Sequence, residues 1–182
     1  KTPGGSDYMI GISANSKVYL FTSTNDAAPS TITGAVVFTN PDAVRICQFN
    51  ERIFFFNGTE RPFYYDIIAG GNVADTAFTG PVGGGTSFGF GFNYRSRMYM
   101  GKRVGIGTAD PSRIWYTDVD AVAGALTAIS FSSIFTVDTS LVAGFSWGYN
   151  QGQTSDELFC LLGNSGEMLI TLEIGLLQQL GN

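Results

Sequence analysis

The chain has 182 residues, including 24 glycines and 15 phenylalanines, carries a net charge of −5 and contains no histidine. That length suffices for one domain with a substantial core, and a glycine- and phenylalanine-rich, charge-poor composition points to an all-β fold with many tight turns. The acidic balance gives no basic footprint for nucleic acid, and without histidine neither a Ser-His-Asp or Cys-His relay nor a histidine zinc site can be built within these residues.

No apolar run nears the ~20 residues of a membrane-crossing helix; Ile53 to Phe56 reads as a strand. A start at Lys1, with no charged-then-apolar leader behind it, leads us to expect a piece of a longer chain. Cys47 and Cys160 each lie in an apolar strand-like stretch and are expected to be buried, reduced thiols.

In chain order, Asp7 to Ile12 and Lys17 to Thr22 read as strands around a Ser-Ala-Asn-Ser turn, followed by a polar loop with Pro29 and a strand over Thr31 to Thr39. Ala43 to Phe49 and Arg52 to Phe56 form an expected hairpin across Asn50-Glu51, and Asn57-Gly58 is a turn because both residues tolerate positive φ. Arg61 to Asp66 is a further strand, with Pro62 near its start. Ile67 to Gly85, poor in large side chains, is expected as a long loop. Thr86 to Asn93 alternates Phe88, Phe90 and Phe92 with smaller residues, which predicts three aromatics on one face and another backbone close to the glycine face. Arg97 to Met100 completes that hairpin, Gly101 to Gly107 is a turn, and Arg113 to Thr117 is a strand. Val119 to Ala128 is the one expected short helix, weakened by Gly124. Ile129 to Val137, Leu141 to Trp147, Glu157 to Leu162 and Glu167 to Leu172 are the remaining expected strands; no element is assigned to residues 174–182.

A phrase recurs along this path: a polar residue, a basic residue, then large apolar residues with glycine close behind. It reads Phe49 to Gly58 and Phe92 to Gly101, more loosely Asn15 to Phe21, and again Asp156 to Gly163. Repetition of short strands at about 40–50 residues marks the blades of a β-propeller. The expected fold is therefore all-β with three to four propeller-like blades of antiparallel strands, in units 7–39, 43–85, 86–137 and 138–172. So few blades do not close a ring alone.

Chemical motifs are sparse. Gly101 to Thr108 mixes glycine, lysine and threonine, but Lys102 precedes the glycines, which is the wrong order for a phosphate loop. Asp110, Asp118 and Asp120 are too few for a calcium loop and read as turn residues. Arg95, Arg97, Lys102 and Arg103, interleaved with Tyr94 and Tyr99, form the one dense basic stretch and are candidate interface or channel contacts. Trp115, Trp147 and Tyr149 are the aromatics that would stack on sugars in a glycan-binding protein. No catalytic, metal or cofactor residue is assigned, and no enzyme activity is expected.

Three segments resemble the β-propeller tail hub or nozzle proteins of short-tailed bacteriophages: Phe49 to Asp66 (FNERIFFFNGTERPFYYD), Arg97 to Asp118 (RMYMGKRVGIGTADPSRIWYTD), and Leu141 to Ile170 with its tryptophan strand, Asp-Glu-Leu-Phe and Ser-Gly-Glu turn. The resemblance implies a virion structural protein of the tail. Its partners would be further copies in a homo-oligomeric ring and other tail proteins, and DNA would pass transiently without specific binding during genome ejection. An acidic passage would repel phosphates. The other reading is a carbohydrate- or receptor-binding propeller module.

Overall fold

The computed structural model describes residues 8–22, 29–79, 87–102, 110–135, 139–151 and 154–171. Apart from a 3-10 turn at Pro41–Ala43, its regular structure is β-strand. Four antiparallel sheets follow one another along the chain, each a meander. The first holds β1 (Tyr8–Ile12), β2 (Val18–Thr22) and β3 (Ser30–Thr31). The second holds β4 (Arg45–Phe49), β5 (Arg52–Phe56), β6 (Phe63–Asp66) and β7 (Ala74–Asp75). A short parallel pair, β8 (Phe78–Thr79) with β12 (Gly124–Ala125), links the segment after the second sheet to the third sheet's last connection. The third comprises β9 (Phe90–Tyr94), β10 (Arg97–Gly101), β11 (Arg113–Tyr116) and β13 (Thr127–Ser130). The fourth is β14 (Leu141–Gln151), β15 (Thr154–Gly163) and β16 (Met168–Thr171).

The turns follow from local chemistry. Asn50, at φ 52°, closes the β4–β5 hairpin. After β5 the Asn57 side-chain oxygen accepts from the N–H groups of Thr59 (3.0 Å) and Glu60 (3.1 Å), folding the chain back towards β6. Asp66 does the same after β6, accepting from Ala69 N–H (2.8 Å) and Ile68 N–H (3.1 Å). Gly166, at φ 87°, turns β15 into β16.

Because successive strand residues point to opposite faces, the run Ile53-Phe54-Phe55-Phe56 feeds two different cores. Phe55, Phe63 and Tyr65 pack with Val18, Ile32 and Phe38 in the layer between the first two sheets. Phe54 and Phe56 pack with Met98, Met100 and Trp115 in the layer between the second and third. The third layer, between the third and fourth sheets, joins Phe92, Tyr94 and Tyr99 to Phe159 and Leu161. Phe159 is its hub, with ring centroids 5.2 Å from Phe92, 5.3 Å from Tyr94 and 5.1 Å from Tyr99. A buried phenylalanine of this kind is worth roughly 1.5–3 kcal/mol over an exposed one.

Two glycines make these layers close. A Cβ on Gly91 of β9 would lie 2.4 Å from the Phe56 ring of the second sheet, and one on Gly144 of β14 would lie 2.1 Å from the Phe92 ring of the third. The glycine faces thus admit aromatic rings from the preceding sheet, not a second backbone as the sequence suggests.

Other expectations are corrected too. Val119 to Ala128 is not helical: Asp120 (φ 55°) and Gly124 (φ 101°) take positive φ, outside the helical region, and Gly124–Ala125 pairs with β8. The expected strand over Thr31 to Thr39 stops at Thr31, because Gly34 turns at φ 63°. Within the expected loop 67–85, Ala74–Asp75 forms the last strand of the second sheet, and Val73 and Phe78 enter the core. Phe88 does not share a face with Phe90 and Phe92. It precedes β9 and packs on Trp115 in the second layer, at 5.5 Å. Strand β13 ends at Ser130, and Phe131 to Phe135 form a buried-ended turn, not a strand to Val137. Expectations placed on Gly83–Gly85, Arg103, the turn through Gly107 and residues 174–182 lie outside the described residues, as does the side chain of Tyr149.

Candidate functional site

Strands β4, β9 and β14, the first strands of the second, third and fourth sheets, run beside one another: β9 lies against both β4 and β14. Their starting ends converge on a cleft of about 520 Å³. Asp42, Val44 and Arg45 line it from the approach to β4, Gly89 and Phe90 from β9, and Leu141 and Val142 from β14. Antiparallel pairing brings two more residues to the same end. Asn57 follows β5, whose Phe56 pairs with Arg45, and Lys102 follows β10, whose Gly101 pairs with Phe90.

The Arg45 guanidinium reaches across the cleft and donates to the Val142 carbonyl at 2.6 Å, tying the second sheet to the fourth over 97 positions of sequence. Lys102 is buried, its ammonium 5.4 Å from the centre of the Phe88 ring and 5.5 Å from that of Trp115. Burial holds its pKa below the usual lysine value. Among the described lining residues, Arg45, Lys102 and Asp42 are the charged ones, so the pair of convergent carboxylates a glycosidase needs is not found among them.

The basic stretch seen in the sequence is dispersed. Arg95 and Arg97 sit at one end of the β9–β10 hairpin and Lys102 beyond the other, separated by the five residues of β10, about 15 Å of strand. At the hairpin turn Arg95 takes φ 44°, its N–H donates to the Glu157 carboxylate of the fourth sheet (3.0 Å), and its guanidinium lies over Tyr94. Arg97 donates to the Thr117 carbonyl (2.8 Å), lies over Tyr116 (5.3 Å) and pairs with Asp118 (3.8 Å). Tyr94 and Tyr99 are core residues of the third layer; burial pushes the Tyr99 hydroxyl up to about 12.

Of the sugar-stacking candidates, Trp115 is only 3% exposed and packs in the second layer, whereas Trp147 is 62% exposed. The acidic residues hold turns: Asp110 accepts from the Ser112 hydroxyl (2.8 Å) and pairs with Arg113 (3.3 Å). Among the described residues no three His, Cys, Asp or Glu side chains gather as a metal site, and no helix is long and apolar enough to cross a membrane. Cys47 and Cys160 are free and buried in different parts of the stack.

The cleft was not visible in the sequence because its members come from three sheets and only Lys102 among them was a candidate contact. The chain matches no protein-family model and no curated protein.

Proposed function

We propose that this protein is a structural component of a phage tail, a hub- or nozzle-type ring protein that forms part of the genome-ejection channel and does no catalysis. One observation carries the reading. Four meander sheets follow in series, stacked through shared apolar layers, with β4, β9 and β14 gathered side by side. First strands gathered about a common line are what propeller blades require, and the Arg45 contact with Val142 is consistent with β4 and β14 approaching the same line. The resembling segments supply the structural parts of this arrangement: FNERIFFFNGTERPFYYD spans the second sheet's central hairpin and β6.

The mechanism is mechanical. Aromatic layers stiffen each sheet against its neighbour, and copies close a passage for DNA. Repulsion of phosphate rests on the net charge of −5 alone. The glycan-binding alternative loses Trp115 to the core and retains Trp147.

Mass photometry of the protein released gently from its source tests the reading. A ring many times the 19.5 kDa of one chain is expected; a lone 19.5 kDa species that retains glycans on an array overturns it in favour of a binding module.

A further inference from the structure

Among the described residues, the stack ends in two uncovered faces. In the fourth sheet, Trp147 stands opposite Leu158 and Leu162 opposite Met168, while Phe145 and Ile170 flank Cys160 from either side. Directly paired residues in an antiparallel sheet point the same way, so all of these side chains share one face. It is the face turned away from the third layer, because Gly144 receives Phe92, and Phe159 and Leu161 enter that layer on the other side. The residues just named are uncharged, and the same register continues at the hairpin end to Tyr149 paired with Asp156. Trp147 is 62% exposed, Met168 54%, Ile170 46% and Phe145 39%. Those four alone leave on the order of 400 Å² of apolar side chain in water, a patch size that on soluble proteins marks an interaction surface.

The first sheet has a counterpart. Ile10, Ile12, Val18 and Leu20 turn inward to the first layer, so Met9 with its partner Phe21, and Tyr19 with its partner Thr31, form the outward face. Met9 on this face is 62% exposed, and Lys17 follows in the same alternation at its hairpin end. Every internal layer of the molecule is made in one way, by the face of one sheet meeting the face of the next. The fourth sheet offers the leading half of such a layer and the first sheet the trailing half.

We propose that the outward face of the fourth sheet docks on the outward face of the first sheet of a second copy of this chain, continuing the stack from copy to copy. The pairing deepens, and rests on, the ring-building reading above. It is heterologous: each copy uses a different surface on its two sides, so the assembly closes into a ring or extends as a filament. A standard interface buries ~800 Å² per partner, about twice what those four side chains expose.

The test uses two substitutions at exposed positions, Trp147→Glu and Met9→Glu, with circular dichroism to verify folding and native mass spectrometry to count copies. Wild type is expected as multiples of 19.5 kDa, with Trp147 emission moving to the blue on assembly. Each variant alone is expected as a single copy. Mixed together they are expected to give a 1:1 dimer that grows no further, because one supplies an intact first-sheet face and the other an intact fourth-sheet face. A Met9→Glu variant that still dimerises alone points to like-with-like pairing and overturns the proposal. Assembly that survives Trp147→Glu overturns this surface but leaves the ring reading standing, whereas a wild type that stays a single copy at every concentration overturns both.

Discussion

Gly144→Ala separates packing from backbone preference. Gly144 lies in β14 without a positive φ, so by conformational entropy alone alanine should stabilise the protein by about 0.4–1 kcal/mol. The structure reverses that sign. The new methyl would sit 2.1 Å from one carbon of the Phe92 ring and 2.6 Å and 2.7 Å from two others. Ordinary carbon contacts lie near ~3.5–4.0 Å, so the ring must retreat by roughly 1 Å or more. It has nowhere to go: Tyr99 stacks on it at 5.6 Å and Phe159 lies at 5.2 Å. Overpacking a closed core costs about 1–3 kcal/mol, leaving a net loss of about 1–2 kcal/mol, or several degrees in Tm for a chain of this size. Gly148, on the same strand and with nothing within 4 Å of its would-be Cβ, is the control. Gly148→Ala should gain about 0.4–1 kcal/mol. Urea unfolding followed by far-ultraviolet circular dichroism reads both as shifts in midpoint at constant slope. Adding Phe92→Leu to Gly144→Ala should recover part of the loss, since coupled neighbours are not additive. Equal stability of Gly144→Ala and Gly148→Ala would refute the close packing of the third layer.

Three further outcomes follow from the buried and titrating groups. Burial pushes the Cys47 thiol up to about 12 and raises that of Cys160 as well, so neither should react with Ellman's reagent at pH 8 until urea unfolds the chain, when two thiols should appear. Lys102, after reductive ¹³C-methylation, should titrate by NMR below the ordinary lysine value of 10.5; a titration at or above it would contradict the burial of its ammonium against Phe88 and Trp115. Asp66 is held below its usual value of 3.8 by the N–H of Ala69 first, then that of Ile68 and the Arg52 side chain. A depressed carboxyl stabilises the fold fully above the unfolded pKa and loses that contribution as pH falls through the native one. Wild type should therefore lose stability below about pH 4 more steeply than Asp66→Asn, and parallel acid profiles would remove the turn's electrostatic role.

Much of the strand order is readable in the chain because turns announce themselves chemically. Asn50, Asn57-Gly58 and Asn164 to Gly166 sit where hairpins must reverse. What hides is which face each strand buries. Ile53 to Phe56 is apolar throughout, so period-two alternation is invisible, although alternate members enter different layers. The alanine-rich stretch after Asp118 carries helix-like composition, but pairing of Gly124–Ala125 with β8 is a non-local contact that composition cannot express. The site fared worse than the fold for the same reason. Asp42, Arg45, Lys102 and Leu141 meet only because three sheets align their starting ends, while the conspicuous run from Arg95 to Lys102 is drawn apart by the rise of β10.

The shared layers also govern how the molecule comes apart. Phe54 and Phe55 belong to one strand yet serve different neighbours, so no sheet owns its core. Energetically the chain is a one-dimensional array in which each unit is stabilised by the contacts on its two sides. The second and third sheets have two such contacts and the first and fourth have one, so opening should begin at the ends and travel inward. Amide hydrogen exchange would then be slowest in β5 and β10, and a truncation that deletes a terminal sheet would shift the fraying boundary one sheet inward without removing it.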